Sequence, residues 1–190
     1  MKLPIYSAFA VTIGLALSLA NVGCSNTRNM AGDRRAGEAA DRTASVTADD
    51  KDFAVRAAQD GMAEIELGNL AVQKGSSQDV KDFGRKLVQD HGKANADLRE
   101  IAAKEGITLP SEFAQKHRDL KDRLSKLSGA EFDREFIKHA ISDHREAIDL
   151  FRKEAESSLN LSLKTFASNT LPILQDHLNM AETIERNLPK

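Results

Sequence analysis

From Ser77 to Glu105 the side chains Val80, Gly84, Leu87, His91, Ala94, Leu98 and Ile101 recur in alternating steps of four and three. That period winds a single stripe along an α-helix and fits no strand. Such a helix hides its stripe only against partners of similar length, so this stretch commits the domain to a helical bundle. The fourth of these seven slots, His91, carries a histidine where an apolar side chain is expected.

Three further stretches offer themselves as partners. Lys51 to Lys74 presents Ala54, Ala57, Ala58, Gly61, Glu64, Ile65, Gly68, Ala71 and Val72 inward. This face of small residues permits close helix approach and leaves room for a neighbour's side chain. A third long helix, to Ser157, presents Asp133, Ile137, Ala140, His144, Ala147, Ile148, Phe151 and Ala155. The fourth, to Leu188, presents Leu163, Phe166, Ala167, Thr170, Ile173, Leu174, His177, Met180, Ala181, Ile184 and Leu188. A shorter helix from Ser111 to Leu127, with Phe113, His117, Leu120, Leu124 and Leu127 on one face, lies between the second and third long ones.

The punctuation agrees with this division. An Asp or Thr in Thr47–Asp50 caps the first helix, and Gly75-Ser76-Ser77 stops it and caps the next. Gly106 ends the second helix, Ser111 caps the short one, and Ser128-Gly129-Ala130-Glu131 reads as a capping box. Pro172 inside the last helix is expected to kink it. Abundant Ala, Leu, Lys and Glu, with no Trp, fit an all-α domain. Phe53, Phe83 and Phe136 stand at one common interval before Asp60-Gly61, Asp90-His91 and Asp143-His144, a faint echo of a duplicated helical hairpin.

Outside the bundle the composition changes. Residues 1–24 carry Lys2, an apolar run from Ile5 to Ala20 and a small-residue break at Asn21-Val22-Gly23-Cys24, the pattern of an export signal. Gly23-Cys24 is similar to a bacterial lipoprotein signal, which implies lipidation at Cys24 and, with Ser25 next, an outer-membrane anchor. Asn21 departs from that motif, and Ser18-Leu19-Ala20 offers ordinary cleavage instead. Cys24 is the sole cysteine, so no intrachain disulfide forms. Residues 25–50 are small, polar and charged and read as a disordered tether; about 26 residues of coil span roughly 28 Å. The folded domain is expected over 51–188. With 27 basic and 29 acidic side chains well mixed, no basic stripe marks a nucleic-acid surface. The membrane, through a lipid on Cys24, is the partner the sequence points to, and no protein partner can be named.

The chemistry is concentrated in three Asp-His pairs, Asp90-His91, Asp143-His144 and Asp176-His177, one in each of three long helices. In a bundle of equal helices, mid-helix residues share one layer whichever way each helix runs. Glu64, His91, His144 and His177 lie about 12–16 residues into their helices, at 1.5 Å per residue a common height. One carboxylate and three imidazoles there suit a transition metal ion, zinc, copper or iron. Asp90, Asp143 and Asp176 stand about 100° round each helix and serve as further ligands, as partners of a neighbouring ring, or as surface charges. The competing expectation is a buried Asp/His hydrogen-bond network that fixes packing without metal, within a non-catalytic envelope or stress-related interaction module. His117 is expected to be a satisfied packing residue, His139 to sit at the flank and Glu66 to face water. No phosphate loop, nucleophile elbow or cysteine motif appears, so no catalytic set is expected.

The blocks DFAVRAAQDGMAEIELGNLAVQKGSS, VKDFGRKLVQDHGKAN, LSKLSGAEFDREFIKHAISDH and FASNTLPILQDHLNMAE resemble the bacterial ferritin-like family known as domain of unknown function 4142, over roughly residues 48–186. The resemblance implies a ferritin-like four-helix bundle with the short helix in the crossover between the second and third long helices, and export to the bacterial envelope. It implies no reaction. The wider ferritin-like group holds two metals with Glu-x-x-His on two helices. Here Val88, Ile141 and Leu174 stand three residues before the histidines, so ferroxidase chemistry is not carried over.

Overall fold

The computed structural model describes residues 45–189, so the export segment and most of the tether lie outside the described residues. Five helices follow in order: α1 Ala48–Lys74, α2 Gln78–Glu105, α3 Gln115–Ser125, α4 Gly129–Ser157 and α5 Leu161–Asn187. No strand occurs among the described residues. The fold is the expected all-α, ferritin-like four-helix bundle. The short links after α1 and α4 fold α1/α2 and α4/α5 into two helical hairpins. These pack with α2 against α5 and α1 against α4, while α3, in the long crossover, lies over α1 and α4.

Helix α1 starts earlier than composition suggested, inside the segment read as tether. Thr47 Oγ1 accepts from Asp50 N, and the Asp50 carboxylate accepts from Thr47 N at 2.7 Å, a complete capping box. The other caps differ from expectation. Ser77 makes no side-chain cap; Asp133, reaching across from α4, accepts from Ser76 N and from Ser77 N at 3.0 and 2.8 Å. Ser128 makes no cap bond either, because the chain enters α4 through Gly129 at φ 62° instead of through a capping-box turn. Helix α3 begins at Gln115 and not after Ser111; its first turn closes on the Ala114 carbonyl, and Arg118 folds back onto the Phe113 carbonyl at 2.6 Å.

Helix α5 runs unbroken through Pro172. Pro172 and Ser168, whose carbonyl loses its donor, both lie on the exposed side of the helix.

The core lies in two blocks with the histidine layer between them. One holds Leu67, Val80, Phe83, Leu87, Phe132, Phe136 and Ile137, with Leu120 and Leu124 of α3. The other holds Phe53, Leu98, Phe151, Leu163, Phe166 and Leu174. The α1 stripe is wider than its small residues suggested: Leu67 and Leu70 are buried with Leu120 and Leu124 of α3, and Phe53 is buried edge to face against Phe151 at 5.0 Å. The phenylalanine echo has a physical counterpart, since Phe83 and Phe136 meet edge to face at 6.1 Å. At the far end, Ser158 donates to Asp50 at 2.7 Å beside buried Glu154, whose carboxyl is pushed up to about 7 by burial and by the Asp50 carboxylate.

Candidate metal centre

His91, His144 and His177 each take a core slot in the stripe of α2, α4 and α5, and the bundle brings them together. Ring centroids stand 5.8 Å apart for His91–His144, 5.4 Å for His91–His177 and 5.3 Å for His144–His177. One nitrogen from each ring lies within 4.8 Å of the other two. His144 and His177 are 1% and 0% exposed. His91 keeps some accessible surface, but its Nε2 is buried and has no hydrogen-bond partner. Phe83 closes the cluster from below, its ring 6.3 Å from His144 and 6.2 Å from His177.

Hydrogen-bond partners fix the protons on two of the rings. His144 Nδ1 lies 2.9 Å from the Ala140 carbonyl, which only accepts, so Nδ1 carries the hydrogen. His177 Nε2 lies 2.8 Å from Asp90 Oδ2 and donates to that carboxylate. The remaining nitrogens, His144 Nε2 and His177 Nδ1, face each other at 3.2 Å. A neutral imidazole has one hydrogen, and both are spent. Burial first, and then the neighbouring histidine, pushes His144 down to about 4. Burial also lowers His177, against the opposing pull of Asp90, and burial with the other two rings holds His91 well below the usual imidazole range. At neutral pH two bare nitrogens therefore point at one another, with the His91 ring beside them.

A metal cation between the rings would resolve this arrangement. Ligands bound tetrahedrally at 2.0–2.1 Å stand about 3.3–3.4 Å apart, close to the spacing of the facing pair. Asp90 already occupies the outer position that orients a metal-ligating histidine. The residues present fit a metal ion.

Glu64 belongs to the same layer but to a second grouping. Its carboxyl lies within 4.8 Å of Asp143 and His144 ligand atoms, and is not grouped in this way with His91 or His177. Glu64 is 3% exposed, and its Oε2 has no partner. Burial, reinforced by Asp143 and then Asp60, raises it well above the carboxylate range and favours its protonated form. The expected four-residue shell is thus three converging rings with Glu64 reaching one of them.

The three aspartates fare differently. Asp90 joins the site through His177 and also accepts from Lys86 at 3.0 Å; those bonds outweigh its burial and hold its carboxyl below the usual range. Asp143 faces Glu64 across the α1–α4 contact. Asp176 lies on the surface, its side chain 57% exposed, and reaches only Lys86 at 3.4 Å. It is no partner of a ring.

His117 is a packing residue, 3% exposed and bonded to Asp60 at 2.9 Å. Half-buried His139 sits at the flank. Glu66 pairs with Lys121 of α3 at 2.6 Å. Sequence reasoning passed over Asn95, which is 5% exposed with an unpartnered Nδ2. The signal was there: four residues after His91 on α2, it shares that ring's face.

No curated protein matches the sequence. Among solved structures the fold is similar to one described as "Crystal structure of DUF305 fragment from Deinococcus radiodurans", with a TM-score of 0.67 and 12% identity, covering 76% of this chain and 100% of that one. At that identity the likeness establishes the helical fold alone. The sequence also matches the family described as Domain of unknown function (DUF4142) over residues 35–184, most of its length, and the chain therefore belongs to that family.

Proposed function

We propose that this chain is a metal-binding bundle of the cell envelope, holding one transition-metal ion on His91, His144 and His177 and carrying out no catalysis of its own. One observation carries the reading: with protons assigned by Ala140 and Asp90, two buried ring nitrogens face each other at 3.2 Å with no hydrogen between them. Three neutral imidazoles beside a carboxyl that favours its proton make a nitrogen-dominated set, which suits zinc or copper ahead of oxygen-seeking ions. The missing Glu-x-x-His spacing argues against di-iron oxygen chemistry.

The full chain, purified without a tag, should retain close to one metal ion per molecule by elemental analysis. A His91/His144/His177→Ala variant should retain none. Equal metal content in the two proteins rejects the site. The Asp90–His177–His144 chain of contacts also favours a second reading, a polar network that only sets helix register. In that case no metal is retained and the variant loses stability, roughly 1–3 kcal/mol for each buried group left unpaired.

The envelope placement rests on the export pattern and on Cys24. Cys24→Ser is expected to move the protein from the membrane fraction to the soluble fraction of fractionated cells. Incorporation of labelled fatty acid should be lost in the same variant, and labelling equal to that of the natural protein would exclude lipidation at Cys24.

A further inference from the structure

Beside the three rings the four long helices enclose a small cavity of about 20 Å³, lined among others by Gly61, Glu64, His91, Asn95, Asp143 and His144. Three buried polar atoms without partners, Glu64 Oε2, His91 Nε2 and Asn95 Nδ2, belong to residues of this one wall. Glu64 and Asn95 are 3% and 5% exposed, so bulk water does not satisfy them. A cavity holds a water when it offers roughly 10–15 Å³ and two to four polar partners, and this one meets both conditions. The rest of its lining includes Phe151, Phe166 and Leu174, whose apolar side chains confine the space to a ligand of a few atoms.

His91 and His144 line the cavity and His177 does not, so the space opens onto one side of the cluster. Three protein ligands around an ion such as zinc leave a fourth position for a non-protein ligand. Gly61 maintains the space: a Cβ there would lie 2.5 Å from Asn95 Oδ1, so a larger residue at 61 displaces the amide.

We propose that this cavity binds one small ligand, water or an anion of a few atoms, on the open side of the ion held by the histidines, with the Asn95 amide as its hydrogen-bond donor. The inference rests on the reading of His91, His144 and His177 as an ion site. It makes that site one that exchanges a small ligand, in place of a closed structural one.

The test uses the full chain, stripped with a chelator, reloaded with cobalt(II) as a visible probe and titrated with azide. The visible bands should shift saturably with azide in the natural protein. Asn95→Leu keeps the branched outline of the side chain and removes the donor; it should take up cobalt equally and bind azide about tenfold more weakly, the scale of one lost hydrogen bond. Gly61→Ala, which displaces Asn95 without removing it, should weaken azide in the same direction and serves if Asn95→Leu does not fold. Bands indifferent to azide, or shifted equally in all three proteins, overturn the proposal while leaving the ion site standing. Failure of the natural protein to take up cobalt overturns both.

Discussion

Asp90→Asn should lower the affinity of the folded chain for zinc by 10–100-fold, the usual cost of losing the group behind a ligating histidine. Asp176→Asn, the same substitution one residue before another histidine of the cluster, should change it by no more than about twofold, as expected of a screened surface charge. Asp90 accepts from His177 Nε2 at 2.8 Å and thereby leaves Nδ1 bare and turned toward His144. Asparagine can instead donate its amide hydrogen to Nε2. The ring hydrogen then moves to Nδ1 and bonds His144 Nε2, while His144 Nδ1 keeps its bond to Ala140. Every buried ring nitrogen in that chain is satisfied, and none of the facing pair is left for metal. The metal-free Asp90→Asn protein should therefore be at least as stable as the natural one, less the surface pair with Lys86, worth about 0–1 kcal/mol. Competition against a chromophoric chelator reads the affinity, and thermal melts of the stripped proteins read the stability. A packing network predicts a lower melting temperature for Asp90→Asn and no metal to lose. Equal affinity losses in the two variants would also defeat this account.

The contrast between Asp90 and Asp176 shows where the sequence stops being legible. The four-and-three stripe of α2 places His91 in a core slot, and the matching stripes place His144 and His177 at its height, so the convergence of the rings could be read from spacing alone. Each aspartate is offset by the same 100° or so, yet the three land in different surroundings. On α2 that offset points to α5, on α4 to α1, and on α5 to water beside Lys86. Which neighbour stands beside a helix is a property of the assembled bundle and not of its own repeat. The Ser77 cap fails for the same reason: it looks local, but the N-terminus of α2 is satisfied by Asp133, 56 residues further along the chain. Glu64 was legible because it interrupts a face of alanines and glycines. Asn95 was legible only in part: four residues after His91 it shares that ring's face, but a lone asparagine looks like surface until Gly61 is seen to make room for it.

Gly84→Ala should destabilise the bundle by about 2 kcal/mol net, although alanine is the better helix former by about 1 kcal/mol. The reason is the α1/α2 contact. A Cβ on Gly84 would stand 2.6 Å from the Gly68 carbonyl oxygen and 2.9 Å from Ala71 Cβ, and one on Gly68 would stand 2.7 Å from the Gly84 carbonyl oxygen. Each helix thus rests its backbone on the other's glycine, and no flexible side chain can yield. Relief requires the helices to part, and overpacking of this kind costs roughly 1–3 kcal/mol or more. Gly92 is the internal control. It lies on the same helix, and a Cβ there meets nothing within 4 Å, so Gly92→Ala should gain up to about 1 kcal/mol from propensity. Urea midpoints of the two variants should move in opposite directions; a neutral Gly84→Ala would mean that the approach is not tight. The effect should reach the site as well. Gly68 lies four residues after Glu64 on α1, and Gly84 seven before His91 on α2, so the glycine contact sets the distance at which the carboxyl and the ring face the cavity. Parting the helices enlarges that cavity and admits water to the facing nitrogens. Gly84→Ala should therefore bind metal more weakly even under conditions where it is fully folded, whereas Gly92→Ala should not.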